Sequence, residues 1–430
     1  MAVPGTFSQG VLPRAGVVAA LFAALTPLTP LTPQAPPTRP DAPAAPAAAL
    51  SGAAGAPGRP VRRDDSGHAF RHPGVLLTRA QLKRIRARVA DGAEPWASEF
   101  EAMRSSMYGS LDYTAAPVAV VRCPPGSQPG RGCVEERRDA IAAYTHALLW
   151  YVTRDRAHAR KAVQIMDAWS AEVEDHTEGN APLQAAWSGS SWARAGEIMR
   201  YTYDGWSRAR VRRFATILRT AYLPLTERGA PDHNGNWDLT MADASMGIAV
   251  FLDDTEAFET AVRRFRDRVP AYFYLRSDGP LPERPRGSRI KTADDIRTYW
   301  FGQRVFVDGL AQETCRNFTH VGYALAATAH VAETAWHQGV DLYDEVAERL
   351  RAALDLHARY QLGDPAPSWL CDGRLKVRMG PDTEVLLNHL GNRRGWALPG
   401  PEEAARPARH RRTDNLFVAW ETLTHTNNPG

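Results

Sequence analysis

The chain has 430 residues, 44% of them hydrophobic, and 52 basic against 48 acidic residues leave a formal net charge of +4. That is enough apolar chain for one large domain or two ordinary ones. The basic residues alternate with acids on what read as helix surfaces, which excludes a nucleic-acid-binding block, while the slight positive excess favours an anionic substrate.

At the N-terminus Arg14 precedes AGVVAALFAALTPL, an apolar run short for a bilayer span but suited to the core of a secretory signal. The Ala/Pro-dominated stretch after it cannot build a packed core and reads as a disordered linker. The expected organisation is a signal peptide over 1–30, a linker over 31–67 and one folded domain over 68–430. No other segment approaches the length of a membrane span. The mature protein is therefore expected to be secreted (extracellular or periplasmic), with no membrane contact after signal cleavage and no nucleic-acid partner, and to act as a monomer.

From LTRAQLKRIRARVA onward, with Thr78 as a cap, the chain predicts helix after helix. ERRDAIAAYTHALLWYVT, RAHARKAVQIMDAWSAEV, LQAAWSGSSWARAGEIMRYTY, SRARVRRFATILRTAYL, WDLTMADASMGIAVFL, DTEAFETAVRRFRDRVPAYFY, QETCRNFTHVGYALAATAHVAETAWHQG and DLYDEVAERLRAALDLHARY all have amphipathic spacing. Short connections make them antiparallel pairs in an all-α domain, either a closed or nearly closed ring of hairpins or a simple bundle. No fixed-period repeat is visible. Loops around 108–134, 275–308 and 362–383 interrupt the pattern as expected lids or cleft walls.

Cys123 and Cys133 flank the Pro/Gly-rich PPGSQPGRG, a loop that a disulfide would clip, and Cys315 and Cys371 remain as a second pair. A zinc site lacks close ligand spacing among these four, and a catalytic Cys315 thiol is disfavoured by an even cysteine count in an oxidising compartment. No metal or cofactor is expected.

Five stretches gather side chains suited to an anionic sugar. AWSGSSWAR offers Trp187 and Trp192 as flat faces for pyranose rings and Arg194 for a carboxylate, although both tryptophans also suit a core. DHNGNW places His233, Asn234, Asn236 and Trp237 before a helix, where an Asn is otherwise a cap. IRTYWFGQR carries Arg297, Tyr299, Trp300 and Arg304 in a long loop, as a site or as a loop anchor. In the stretch from Gln312 to Gly339, at roughly 100° per residue, Arg316, His320, Tyr323, Ala327, His330 and Thr334 share one stripe without Lys or Glu. Phe318, Val321, Leu325, Ala329, Ala332 and Trp336 form the opposite, buried stripe. The polar stripe predicts a cleft-facing surface, with satisfied buried histidines as the bland alternative. Finally, DTEVLLNHLGNRRG holds Asn388, His389, Arg393 and Arg394.

VLLTRAQL, AWSGSSWARAGEIMRYT, NGNW with the AVFLDD helix end, DGLAQETCRNFTH with HVAETAWHQGVDLY, and the closing ETLTH together resemble, in that order, the bacterial alginate lyase family of polysaccharide lyases. The resemblance spans roughly 70–425. It implies an (α/α) toroid, an incomplete barrel of antiparallel helical hairpins with a deep cleft and no fold-defining metal. It also implies β-elimination on a 4-linked uronic-acid polysaccharide: neutralising groups stabilise the enolate-like state, a base removes the C5 proton, and an acid protonates the departing O4. Arg316 and Tyr323 match the family's Arg and Tyr seven positions apart. The family's Asn-His pair before a Trp is replaced by His233-Asn234-Gly235-Asn236-Trp237. On this basis His320 is the expected base, Asn236 the main carboxylate neutraliser supported by Asn234 or His233, and Tyr323 the acid with Tyr299 in reserve. Poly-β-mannuronate in alginate is the first substrate and glucuronan or another polyuronate the next. A hydrolase, using two of Asp238, Asp243 and Glu313, and a non-catalytic sugar binder are the competing classes.

Overall fold

The computed structural model describes residues 69–126 and 130–430; the expected signal peptide, linker and first domain residue lie outside the described residues. Among the described residues helices dominate. They run α1 Arg79–Ala90, α2 Trp96–Arg104, α3 Cys133–Thr153, α4 Arg156–Glu172, α5 Ala181–Thr202, α6 Arg208–Ile217, α7 Leu223–Glu227 and α8 Gly235–Leu252. They continue as α9 Thr255–Arg268, α10 Ala293–Tyr299, α11 Phe318–His337, α12 Leu342–Gln361, α13 Glu384–Leu387, α14 Pro399–Arg409 and α15 Glu421–His425. The strands described are Val120–Arg122 and Asp175–Thr177, paired in parallel, an element that the sequence pattern does not announce.

Two classes of helix make the two layers of an α/α toroid. In α8, 16 of 18 residues are buried, whereas α9 buries six of 14 along one stripe. A helix buried all round must be an inner element, and one with a single apolar stripe an outer one. The inner helices pack in sequence, α3 against α5, α5 against α8 and α8 against α11, with α4, α9 and α12 behind them. Small residues allow the inner helices to approach closely. A Cβ built at Gly196 on α5 would lie 2.9 Å from the Phe251 ring of α8. The C-terminal α15 returns to pack on α1 and α2. Pro270 stops α9 at Arg268, so the expected continuation through Tyr274 is not helical.

The loops are covalently and polarly anchored. Cys123 is bonded to Cys133, and Cys315 to Cys371, so none of the four is a thiolate available to zinc. The second bridge ties the 362–383 loop to the turn before α11. That loop also accepts from Phe318 N through Lys376 O at 2.8 Å and from Thr319 Oγ1 through Arg378 O at 2.9 Å. No helix among the described residues is long and apolar enough to cross a membrane.

The first described residues are clamped to the inner ring by His72. Its imidazole meets Glu197 of α5 at 3.0 Å and Asp253, the C-cap of α8, at 2.9 Å, and stacks on Tyr201 at 4.3 Å. Burial opposes its charge, but the carboxylates of Asp253 and Glu197 outweigh burial and lift its pKa from 6.5 to about 9. A raised folded-state pKa contributes stability in full below pH 6.5, and that contribution is lost as pH rises through 9. Denaturation midpoints measured across this window should fall with rising pH, and His72→Gln should flatten the fall.

Candidate active site

Asn317 sets the start of α11. Its Oδ1 accepts from the backbone N–H of His320 at 3.0 Å and from His320 Nδ1 at 2.7 Å. Because the cap identifies this atom as the oxygen, Nδ1 must carry the proton, and Nε2 is left as a lone pair with no partner among the described residues. Burial, and after it the positive charge of Arg316, push the His320 pKa below 6.5. The helix therefore begins after Arg316, which lies in the preceding turn rather than in the first turn of a continuous stripe. One turn into α11, the Tyr323 ring lies edge-on to His320 with centroids 5.6 Å apart. Its phenol is raised above its ordinary value by burial and by Asp414 and Asp382. The hydroxyl has no hydrogen-bond partner among the described residues.

Beneath these groups lies Glu313, fully buried. Its carboxylate accepts from Arg316 Nη1 at 2.6 Å, Asn236 Nδ2 at 2.7 Å and the Tyr272 hydroxyl at 3.0 Å. Asn236 is 2% exposed, and its amide N–H₂ serves Glu313. This corrects its expected role as the main substrate-carboxylate neutraliser. Gly235 makes the arrangement possible, since a Cβ there would come within 2.1 Å of the Tyr272 ring. Arg316 is partly exposed, and its remaining side-chain donors have no partner among the described residues.

Asn234, the N-cap of α8, makes no side-chain cap bond. Its Oδ1 accepts from Gln312 Nε2 at 3.0 Å, which leaves its own Nδ2 donors unengaged by the described residues. Gln312 in turn accepts from Gly235 N at 3.0 Å and donates to Tyr299 O at 2.6 Å. Tyr299 is part of the scaffold. Its hydroxyl donates to His233 O at 2.7 Å and accepts from Arg268, and burial lifts its pKa to about 12 against the pull of Arg268. That proton is committed, so the reserve-acid role does not fit. His233 is exposed and stacks on Trp237 at 4.4 Å. Both line a cavity of about 280 Å³ with Arg228, Asp232 and Arg289. Trp187, partly buried, carries Arg137 over its ring at 5.1 Å.

Other expected substrate contacts are displaced by burial. Trp192 is fully buried against Trp169 and Phe214 and is a core residue. Arg194, 1% exposed, donates to Asp243 at 2.8 Å and to Phe417 O at 2.7 Å. His330, on the same predicted stripe as His320, is enclosed between Asp243 and Glu421 at 3.0 and 2.6 Å, the bland outcome for a helical histidine. Thr334 is buried too, whereas Trp336 of the supposed apolar stripe is 39% exposed. Asn388 bonds the backbone of Asn428. His389 stacks on Tyr343 at 3.5 Å, and burial with Arg393 pulls its pKa down to about 3. Arg393 is bound to Glu333 at 2.6 Å. Asn388 and Arg393 hold the C-terminal segment through Asn428 and Pro429 O, and His389 is buried against Tyr343, so all three are engaged within the fold. Trp300 is a buried loop anchor. The carboxylates required for a hydrolase are all committed: Asp243 to Arg194, Glu313 to three donors, and Asp238 to Arg264.

A family model described as alginate lyase matches residues 131–368, more than half of the chain. The chain belongs to the alginate lyase family. It is a polysaccharide lyase. No curated protein matches it. Among solved structures, alginate lyase A1-III from Sphingomonas species A1 is similar at 15% identity, covering 80% of this chain and 94% of that one, with a TM-score of 0.53. An alginate lyase from Bacteroides ovatus is similar at 13% identity, covering 83% and 99%, with a TM-score of 0.55. A variant of A1-III complexed with tetrasaccharide matches at 16% identity over 81% and 94%, with a TM-score of 0.52. At these identities the likeness speaks for the α/α-toroid fold.

Several residues of the lyase that order this site escape a reading by motif. Glu313 entered only as a hydrolase acid, and Gln312, Asn317, Tyr272 and Arg268 not at all. The capping Asn before FTH was the one local signal available, because an Asn three residues before a His is placed to bind both its backbone and its ring. Asn236→Ala should cost stability by about 1–3 kcal/mol, by leaving a buried Glu313 lone pair unmet. Chemical denaturation would measure it, with substrate KM changed little.

Proposed function

We propose that this lyase cleaves alginate, preferring its poly-β-mannuronate blocks, by β-elimination with His320 as base and Tyr323 as acid. The single observation that carries the assignment is the pairing of an unprotonated imidazole Nε2 with an unengaged, protonated phenol one helical turn apart. Burial disfavours charge on both rings, so it keeps the imidazole neutral and the phenol protonated near pH 7. His320 Nε2 takes the C5 proton, the C5–H pair forms the C4–C5 double bond, and the C4–O4 bond breaks as Tyr323 delivers its proton to O4. Arg316, through its open donors, and Asn234, through its Nδ2, bind the substrate carboxylate and stabilise the charge that develops on it.

Because both groups project from one face of α11, they reach C5–H and O4 from the same side of the sugar. In β-D-mannuronate these two substituents lie on the same face, and D-glucuronate shares that relation. In guluronate they lie on opposite faces. This supports polymannuronate and glucuronan alike over polyguluronate. The relatives' titles name alginate lyases, one of them with a bound tetrasaccharide, in keeping with the same polymer. Two disulfides suit an exported enzyme, and we assign it outside the cytoplasm.

Incubation with polymannuronate, polyguluronate and glucuronan should produce the ultraviolet absorbance of a new C4–C5 double bond with the first and third. Hydrolytic products without that absorbance would refute the proposal. Tyr323→Phe should lower kcat by about 10²–10⁴-fold while leaving oligosaccharide binding in place; an unchanged kcat would remove Tyr323 from the reaction. For pH, the acid limb of kcat/KM should fall below 6.5, where His320 becomes protonated, and the phenol should impose no loss until above 10. A pH–rate profile with its acid midpoint above 6.5 would exclude His320 as the base.

A further inference from the structure

Arg137 of α3 is a guanidinium without an ion-pair partner among the described residues. No carboxylate lies within ion-pair distance of it among the described residues, whereas the buried Arg194, Arg268 and Arg393 face Asp243, Asp238 and Glu333. Its one acceptor is neutral: Nη1 donates to Gln184 Oε1 at 3.2 Å. Among the described residues its buried Nε has no acceptor, and neither has Nε1 of Trp187, over whose ring the guanidinium lies at 5.1 Å. Enclosing an unpaired charge and two unmet donors in one corner is costly unless something else supplies the acceptor.

The corner is also built to hold its orientation. Gln184 Nε2 donates to Cys133 O at 3.0 Å and to Glu136 at 2.7 Å, which turns its oxygen toward Arg137. Glu136 is in turn held by His176 at 2.9 Å and by the Tyr222 hydroxyl. The Cys123–Cys133 bridge sits at the start of the same helix. Tyr323 meets Phe417 edge-on with ring centroids 6.3 Å apart, Phe417 O accepts from Arg194 of α5, the helix that also carries Trp187, and the charge of Arg137 acts on the Tyr323 phenol. A fixed cation on an aromatic ring matches a uronate: carboxylate on the guanidinium, sugar ring beside the indole.

We propose that Arg137 and Trp187 form a subsite that binds the carboxylate-bearing sugar adjoining the one cleaved, and so select for a polymer charged at every residue. The inference rests on the polyuronate-lyase assignment above. Arg137 positions the chain rather than moving a proton.

The test is steady-state kinetics and calorimetric binding with tetramannuronate and with its carboxyl-reduced form. Arg137→Gln should raise KM for tetramannuronate about tenfold with kcat little changed, and shrink the preference for the charged over the reduced tetramer by a similar factor. Arg137→Lys, which keeps the charge but loses the paired contact, should recover part of that loss; it also serves if the Gln variant fails to fold. Unchanged KM and unchanged charge preference in a folded variant would overturn the subsite. If wild-type enzyme binds tetramannuronate but never yields the unsaturated product, the lyase chemistry assigned to His320 and Tyr323 fails instead. Weakened binding in Arg137→Gln would then still uphold the carboxylate contact.

Discussion

The Glu313 carboxylate is the constraint around which the site is organised. A carboxylate removed from water must be matched by donors on each oxygen or it destabilises the fold by several kcal/mol. Here the donors come from three separate segments: Asn236 at the first turn of α8, Tyr272 after α9, and Arg316 before α11. Meeting that requirement locks the N-terminus of one inner helix to the approach of the next. It also divides the labour among the asparagines. Asn236 is drawn inward to the carboxylate, and Asn234 stays partly exposed with its amide donors unengaged by the described residues.

A second consequence runs through α11. The polar stripe that the sequence predicts is split, with Arg316 in the turn before α11, and the environment of the part on the helix changes along its length. At the N-terminal end the 362–383 loop, held by the Cys315–Cys371 bridge, bounds the turn before α11, and His320 and Tyr323 remain partly open. Further along, His330 and Thr334 are buried between the inner helices and become structural. A single physical cause, burial, then acts with opposite sign on two titratable rings. It lowers the affinity of His320 for a proton and raises that of Tyr323, so that both are uncharged, one as a lone pair and the other as a donor.

The arginines separate into three kinds by their partners. Arg194 and Arg393 close buried ion pairs that knit the toroid, and Arg268 braces Tyr299 and the His233 carbonyl. Arg316 is half committed to Glu313 and half open. Arg137 has no carboxylate partner among the described residues. Residue type alone does not separate these states, because a guanidinium serves a carboxylate of the protein and a carboxylate of a ligand with the same geometry.

What was legible in the sequence follows from periodicity and local chemistry. Helical spacing marked the helices, Pro and Gly marked the loops, the cysteine positions anticipated two bridges, and the ordered motifs carried the family and its toroid. The seven-residue interval of Arg316 and Tyr323, with His320 between them, placed the three groups proposed for the reaction near one another, because two turns or fewer of chain separate them. Periodicity does not report what packs against a face. The difference between Trp187 and Trp192, five residues apart on one helix, is that α3 and its Arg137 meet the first while Trp169 and Phe214 enclose the second. The diversion of Asn236, the commitment of the Tyr299 proton and the confinement of His330, Asn388, His389 and Arg393 to the scaffold were likewise decided in the tertiary structure. Each depends on a partner between 40 and 91 residues away in the chain, and such encounters exist only once the helices have closed into a ring.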